Sequence, residues 1–423
     1  MFLVIVFLIL LCIGLPICFV IGGSSLAWLF AKDMDIILLA QRMFTGMDSF
    51  VLLAMPFFVL CGNLMNHSGI TKRMIAFAKV CVGHLPGGLS QINVLTSMLF
   101  AGVSGSASAD TSAVGGVLIP AMVEEGYDAD YSAAVTAASS CVGPIIPPSH
   151  LMLVYAVQAS CSPAYLFVAG VVPGVILGLS QMVLCAYYAK KRGYMAHAAK
   201  PTWKAFFATA KDGLLALMAP VIILGGIAGG ICSPTEAGAF AAIYCILIGM
   251  FVYKELKLKD LPKILLESAK TAGSCFLIIS TASFLAWLIT AQGIPQLVTS
   301  VLGPLSHNWM LLMLGFVIIL LFFGTFMDTI AAMIILVPIF LPLAIQAGIH
   351  PVHLGLVIVL GMDIGVITPP VGVCLFLACK IAKIKLEPLV KAILPFLAVC
   401  IFVLLLIAFI PELTLFLPDF LGV

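Results

Sequence analysis

IPAMVEEGYDADYSAAVTAASSCVGPIIPP, residues 119–148, has a counterpart 222 residues later in LPLAIQAGIHPVHLGLVIVLGMDIGVITPP, residues 341–370. At that offset Pro120 falls on Pro342, Gly126 on Gly348, Gly143 on Gly365 and Pro147-Pro148 on Pro369-Pro370. The same offset, without a gap, puts Gly102 on Gly324. Glycine and proline fix unusual backbone geometry, so their recurrence in register points to an internal structural repeat.

The repeat lies in a very apolar chain. Of 423 residues, 63% are hydrophobic and 9% charged, and the mean hydropathy is +1.24. Soluble chains run about 25% charged. Several segments approach the ~20 residues that span a bilayer, and the alternation of a transmembrane barrel is missing. The sequence therefore predicts an all-α polytopic membrane protein. A net charge of +2 gives no support for nucleic-acid binding. The first basic residue is Lys32, so residues 2–20 read as a retained helix rather than a cleaved signal. The 13 cysteines form no C-x-x-C pair or Cys/His cluster and read as small apolar residues.

Basic residues gather on cytoplasmic loops. Three clusters qualify: 190–192 with Lys200 and Lys204, 254–263, and Lys380, Lys383, Lys385 with Lys391. Two spans, 213–231 and 237–253, separate the first two and keep them on one side. In the first half, the point after the Pro-Pro segment, near Cys161, lies one span away from a cluster; in the second half the matching point runs straight into one. Equivalent points fall on opposite faces, which predicts an inverted repeat. The last span, 392–411, leads outward to a tail without Lys or Arg, so the C-terminus is expected in the periplasm.

Each half carries two broken apolar segments. Residues 93–123 are interrupted by SGSASADTS and residues 312–343 by GTFMDT, which predicts re-entrant hairpins. Residues 130–160 are broken by GPIIPPS (143–149) and residues 352–379 by GVITPPVG (365–372). Non-helical backbone at membrane depth persists only where protein or a watery cavity covers it. There, half-helix N-termini face anions and freed carbonyls hold cations, so paired breaks mark a transporter's binding site. No Lys or Arg occurs from Val80 to Ala189 or from Thr271 to Cys379, which favours cation coupling, with Asp110, Asp328 and Asp363 as available carboxylates. The G-V-S-G run at 102–105 also resembles an intramembrane protease serine. However, the second half replaces Ser104 by Phe326 and Ser106 by Asp328, and nothing in the sequence sets a base such as His150 beside Ser104. No catalytic residue is expected, and the serine hydrolase stands as the remote alternative.

These residues also carry a resemblance. GVSGSASADTSAVGGVLIPAM, EEGYDADYSAAVTAASS, GPIIPPS, SPTEAGA and GMDIGVITPPVG resemble the large (DctM-type) membrane subunit of tripartite ATP-independent periplasmic (TRAP) transporters, in the ion-transporter superfamily, over essentially the whole chain. The resemblance implies an elevator-type transporter. It implies sodium-coupled uptake of an organic acid, such as sialic acid or a C4-dicarboxylate, across the bacterial inner membrane. It also implies a separate four-helix membrane subunit and a periplasmic substrate-binding protein. Sodium ions would be the coupling ions, with no cofactor. One sodium site would use Ser104, Gly105 and Ser106 with Cys141 and Gly143. The other would use Gly324, Thr325 and Asp328 with Gly365 and Thr368. Substrate would lie near Ser108, Asp110, Thr111, Pro148, Ser149, Thr329 and Pro370. A carboxylate transporter of the same superfamily that needs no binding protein is the nearer alternative.

The expected partition is a scaffold of 1–85 and 200–300 and a moving unit of 86–199 and 301–423. Asp110 and Asp328 each read either as a helix cap or as a site residue. Glu236 reads as part of a capping box, residues 36–48 as an interfacial amphipathic helix, and GGIAGG (225–230) as a close-packing seam.

Overall fold

The computed structural model describes residues 2–194, 203–293, 296, 298 and 308–422, the side chains of 4, 102–104, 203–208 and 210–212 excepted. The partition points at 199/200 and 300/301, with Lys200, lie outside the described residues, as do the side chains of Ser104 and Lys204. All regular structure among the described residues is helical. Five helical stretches there are long and apolar enough to cross a bilayer: 163–192, 234–252, 258–291, 329–346 and 386–409. With the buried apolar surface already spoken for by packing, such lengths fit a multi-pass membrane protein.

The N-terminal helix expected over 2–20 is two helices, α1 (Phe2–Cys12) and α2 (Ile17–Ala31). Gly14 turns left-handed at φ +83° and Pro16 starts α2 without an N–H to continue the earlier ladder. α3 (Ile37–Met47) buries none of its residues and lies along α13 (Leu261–Ala291), with the Arg42 guanidinium 5.1 Å from the Trp287 ring. α4 (Ala54–His67) and α5 (Ile70–Val82) follow. α11 (Trp203–Ala228) turns into α12 (Pro234–Leu247) through the expected capping box: Ser233 N donates to Glu236 Oε2 at 2.8 Å, and Glu236 N donates to Ser233 Oγ at 3.3 Å. α12 packs on α4. A Cβ on Gly238 would stand 2.9 Å from Phe57, so the glycine permits this approach. In GGIAGG, Gly229 and Gly230 lie beyond the end of α11 and Gly225 faces open space, while a Cβ on Gly226 would stand 2.5 Å from Cys232 Sγ, so its close contact is with the following turn and not with a second helix. Here glycine stops a helix instead of packing two.

The remaining helices fall into two matching sets. The first is α6 (Gly88–Ser104), α7 (Ala107–Glu124), α8 (Ala129–Ser140), α9 (His150–Ala159) and α10 (Pro163–Arg192). The second is α14 (Trp309–Gly324), α15 (Thr329–Gln346), α16 (Pro351–Gly365), α17 (Val373–Ala382) and α18 (Leu386–Phe409), closed by α19 (Glu412–Leu421). Both ends of α7 lie 222 residues before those of α15 (107 and 124 against 329 and 346). The sets interlock: α7 packs on α17, and α15 on α9. Buried polar pairs join α6 and α7 to α8. Asn93 Nδ2 donates to Thr136 Oγ1 at 2.6 Å, Ser97 and Ser139 hydroxyls meet at 3.0 Å, and Thr111 and Ser140 at 2.7 Å. Small polar residues of this kind hold membrane helices together where the hydrophobic effect offers little.

α10, 30 residues long and so about 45 Å, measures the two sets against each other. At its C-terminal end Arg192 Nη1 pairs with Asp128 Oδ2, at the head of α8, at 2.7 Å. At its N-terminal end the Tyr165 ring stands 5.8 Å from that of His350, at the head of α16, and its hydroxyl donates to Asp419. Residues 128 and 350, one offset apart, therefore sit at opposite ends of α10.

On the Arg73 side of the bundle, Arg73 Nη1 (2.8 Å) and Lys72 Nζ (3.2 Å) both reach Glu255 in the loop after α12. The Arg73 guanidinium, with Lys72 beside it, holds the Glu255 carboxyl below the usual glutamate value. A lowered carboxyl stabilises the fold at neutral pH, and that contribution is lost as pH falls through the lowered value. Glu255→Gln is therefore expected to lower the melting temperature at pH 7 by an amount worth at most about 1 kcal/mol, as for exposed pairs. Melts of the detergent-solubilised chain should show the gap between wild type and variant close below the ordinary glutamate range, and a constant gap would contradict the assignment.

Candidate functional site

The first hairpin turns within two residues. Gly105 is left-handed (φ +54°), and a Cβ there would lie 2.9 Å from Pro148 O and 3.1 Å from Ser149 Cα. Conformation and contact both demand glycine. Ser106 is extended and starts α7. The rest of SGSASADTS, expected to be irregular, winds into the first turns of α7, because Thr111 Oγ1 bonds Ala107 O (2.9 Å) and packing on α8 outweighs weak intrinsic propensity.

Asp110 consequently sits inside α7. Its N–H bonds Ser106 O at 3.0 Å, and its fully buried carboxyl caps nothing. Neither oxygen has a hydrogen-bond partner among the described residues. The cap reading of Asp110 is therefore set aside. The cap belongs to Asp328, whose Oδ1 accepts from Ile330 N (3.0 Å) and Ala331 N (3.2 Å) at the head of α15. Its second oxygen is not used by the cap, and the residue is exposed to a cavity.

Each tip rests on the broken helix of its own half. Beside the Gly105 contact with 148–150, a Cβ on Gly143 would come 3.7 Å from Ser106 O. In the second half a Cβ on Gly365 would fall 2.4 Å from the Gly324 backbone. Pro147-Pro148 and Pro369-Pro370 are both cis. Cys141 turns toward the other half, its Sγ 3.4 Å from Asp363 O. The Thr325 and Thr368 hydroxyls bond carbonyls of their own turns, Phe322 O (2.8 Å) and Ile364 O (2.7 Å).

A cavity of about 600 Å³ opens between the tips. Of the expected residues, Ser106, Ser108, Gly324, Thr325, Asp328 and Thr329 line it. Gly105, Cys141, Gly143, Gly365 and Thr368 stand behind the wall, as do Asp110 and Thr111, both buried. Pro148 and Ser149 are buried under the first tip, while Pro370 is exposed away from the cavity. The wall also includes residues the sequence reading left out of the site: His150 at the head of α9, Asn63 and Asn66 on α4, and Thr271 on α13. The asparagines had a legible signal, because CGNLMN places two amides in an apolar helix.

Four helix C-termini (α6, α8, α14, α16) and four N-termini (α7, α9, α15, α17) meet around this cavity. Carbonyl ends suit a cation and N–H ends an anion. Among the described residues no group of three His, Cys, Asp or Glu side chains is placed to hold a metal ion.

Residues 4–413 match the sequence model of the tripartite ATP-independent periplasmic transporter, DctM component. The chain is 39% identical over 415 residues to the sialic acid TRAP transporter large permease protein SiaM of Vibrio cholerae, covering 98% of this chain and 97% of that one. It is 40% identical over 404 residues to the C4-dicarboxylate TRAP transporter large permease protein DctM of Pseudomonas aeruginosa, covering 95% and 94%. Its fold is similar to that of the Alcanivorax borkumensis YdaH transporter, with a TM-score of 0.63 at 15% identity over 96% of this chain and 98% of that one.

Because Gly365 faces backbone that no rotamer change can clear, Gly365→Ala should destabilise the chain by about 1–3 kcal/mol or more and separate tip from break. Gly116, with nothing within 4 Å of its Cβ position, is the control: Gly116→Ala should be neutral or stabilise by up to about 1 kcal/mol. Thermal unfolding in detergent compares them, and an unaltered Gly365→Ala melt would refute the close contact.

Proposed function

The chain belongs to the DctM family of TRAP transporter large permease subunits, a family of transport proteins and not of enzymes, and we propose that it performs sodium-coupled symport of an organic acid into the cell. The observation that carries this reading is the convergence of both hairpin tips on one cavity from segments more than 200 residues apart. Freed carbonyls beside each tip would hold sodium, and the substrate would lie between the tips. The proposed sodium residues are Ser104, Gly105, Ser106, Cys141 and Gly143 in the first half and Gly324, Thr325, Asp328, Gly365 and Thr368 in the second.

We infer that the two sets of helices are inverted repeats. The opposite placement of Asp128 and His350 along α10 supports this, as does the equal spacing of α7 and α15. The unit of 86–199 and 301–423 would move as an elevator against the scaffold of 1–85 and 200–300. The seam between them, where α4 packs on α6 and α9 and α13 packs on α15, would be the surface along which that motion occurs. The protein would reside in the inner membrane. The C-terminus would be periplasmic, since Asp419 lies at the end of α10 opposite the basic 190–192 run.

Sialic acid and C4-dicarboxylates are the acids for which the two relatives are named. A periplasmic binding protein would deliver the acid, and a separate four-helix subunit would accompany this chain in the membrane. Proteoliposomes holding the chain and its small subunit, supplied with the binding protein and labelled sialic acid or succinate, test the proposal. Uptake is expected under an inward sodium gradient but not an equal potassium gradient, and is expected to stop without the binding protein. Uptake indifferent to sodium would overturn the coupling; uptake that persists without the binding protein would favour the binary carboxylate transporter.

A further inference from the structure

α4 and α13 belong to the part read above as the fixed scaffold, yet Asn63, Asn66 and Thr271 stand in the wall of the cavity that the hairpin tips share. Local bonds decide which polar atom each of them offers. Ser268 Oγ gives its only hydrogen to Ile264 O at 2.8 Å, so toward Asn63 it can only accept, from Nδ2, also at 2.8 Å. The amide is thereby fixed, and Asn63 Oδ1, an acceptor, is left without a partner among the described residues. Three residues on, and so on the same side of α4, Asn66 Oδ1 accepts from Thr71 Oγ1 at 3.0 Å, which leaves its Nδ2 as a free donor among the described residues. Thr271 Oγ1 donates to Glu267 O at 3.1 Å and keeps its oxygen as an acceptor.

The scaffold side of the cavity thus presents neutral acceptors on both helices with a neutral donor between the two kinds of contact. Among the described residues no Lys or Arg lines the cavity, so nothing on α4 or α13 there draws a carboxylate away from the tips. A hydroxyl both donates and accepts and can satisfy such a wall. An ammonium only donates and would meet the Asn66 amide donor to donor, and a methylene satisfies neither kind of group. A site built to hydrogen-bond a hydroxyl discriminates against the analogue that lacks it, because its own polar groups are then left unpaired.

We propose that Asn63, Asn66 and Thr271 are specificity-determining residues, which hydrogen-bond the hydroxylated body of the transported acid while its carboxylate lies at the hairpin tips. The proposal rests on the transport reading above and narrows its substrate class: of the two acids offered there, sialic acid carries such hydroxyls and succinate carries none. It also lays the acid across the seam between fixed and moving helices, so these bonds must break before the moving unit slides away.

Gluconate, 6-aminohexanoate and hexanoate make the test, because they share chain length and one carboxylate and differ in carrying hydroxyls, an ammonium or neither. Calorimetric binding to the full chain with its small subunit, in sodium and without binding protein, should give gluconate tighter than either of the others by about tenfold or more. Asn63→Leu on α4 and Thr271→Val on α13 should each weaken gluconate by about tenfold. Both variants should bind radioactive sodium as the wild type does, a pattern that general loss of structure would not give. Hexanoate or 6-aminohexanoate binding as tightly as gluconate would overturn the proposal, and so would binding of none of the three, or gluconate affinity unchanged in both variants. In each of these cases sodium-driven uptake of another acid would leave the transport reading standing.

Discussion

The whole arrangement depends on backbone meeting backbone where each hairpin tip lands on a broken helix. Gly324 and Gly365 approach so closely that one methyl group would fall 2.4 Å from main-chain atoms, and Gly105 is pressed against Pro148 in the same way. At such contacts no side chain intervenes, so each tip packs backbone to backbone on the broken helix just behind the wall of the shared cavity. In a membrane interior an unsatisfied backbone group costs several kcal/mol. The chain brings eight helix ends to one place, two of them capped by side chains, Ser149 at the start of α9 and Asp328 at the start of α15.

The two halves use the same scaffold with different chemistry. In the first, hydroxyls and an amide knit α6, α7 and α8 together at Asn93, Ser97, Thr111, Thr136, Ser139 and Ser140. In the second, α14 and α15 are almost wholly apolar, and a stacked pair, Phe316 and Phe340 with centroids 4.2 Å apart, joins them. The exchange of Ser106 for Asp328 at the helix start follows the same division. One half is closed by its own carboxylate, while the other leaves its helix start uncapped.

Much of this was legible in the sequence, because glycine and proline leave marks that apolar side chains do not. The 222-residue offset, the hairpin arms, the interrupted helices and the Ser233–Glu236 capping box all follow from such punctuation. What could not be read depended on contacts between distant segments. Spacing alone does not separate an N-cap from a residue one turn inside a helix, so Asp110 and Asp328 looked alike until Thr111 was found bonded to the chain at Ala107 and Ser140. The width of the first tip was hidden for the same reason. Asn63, Asn66 and Thr271 reach the cavity only because α4 and α13 pack beside the hairpins, which no local pattern announces. The split between α1 and α2 was available in Gly14 and Pro16 but was outweighed by the apolar run around them.

The central claim is that these paired tips and breaks are cation pockets. Equilibrium binding of radioactive sodium to the purified chain, in the absence of any acid, tests it most directly. The account predicts saturable binding that unlabelled sodium displaces and potassium does not. Counts that rise linearly with sodium and never saturate would contradict it.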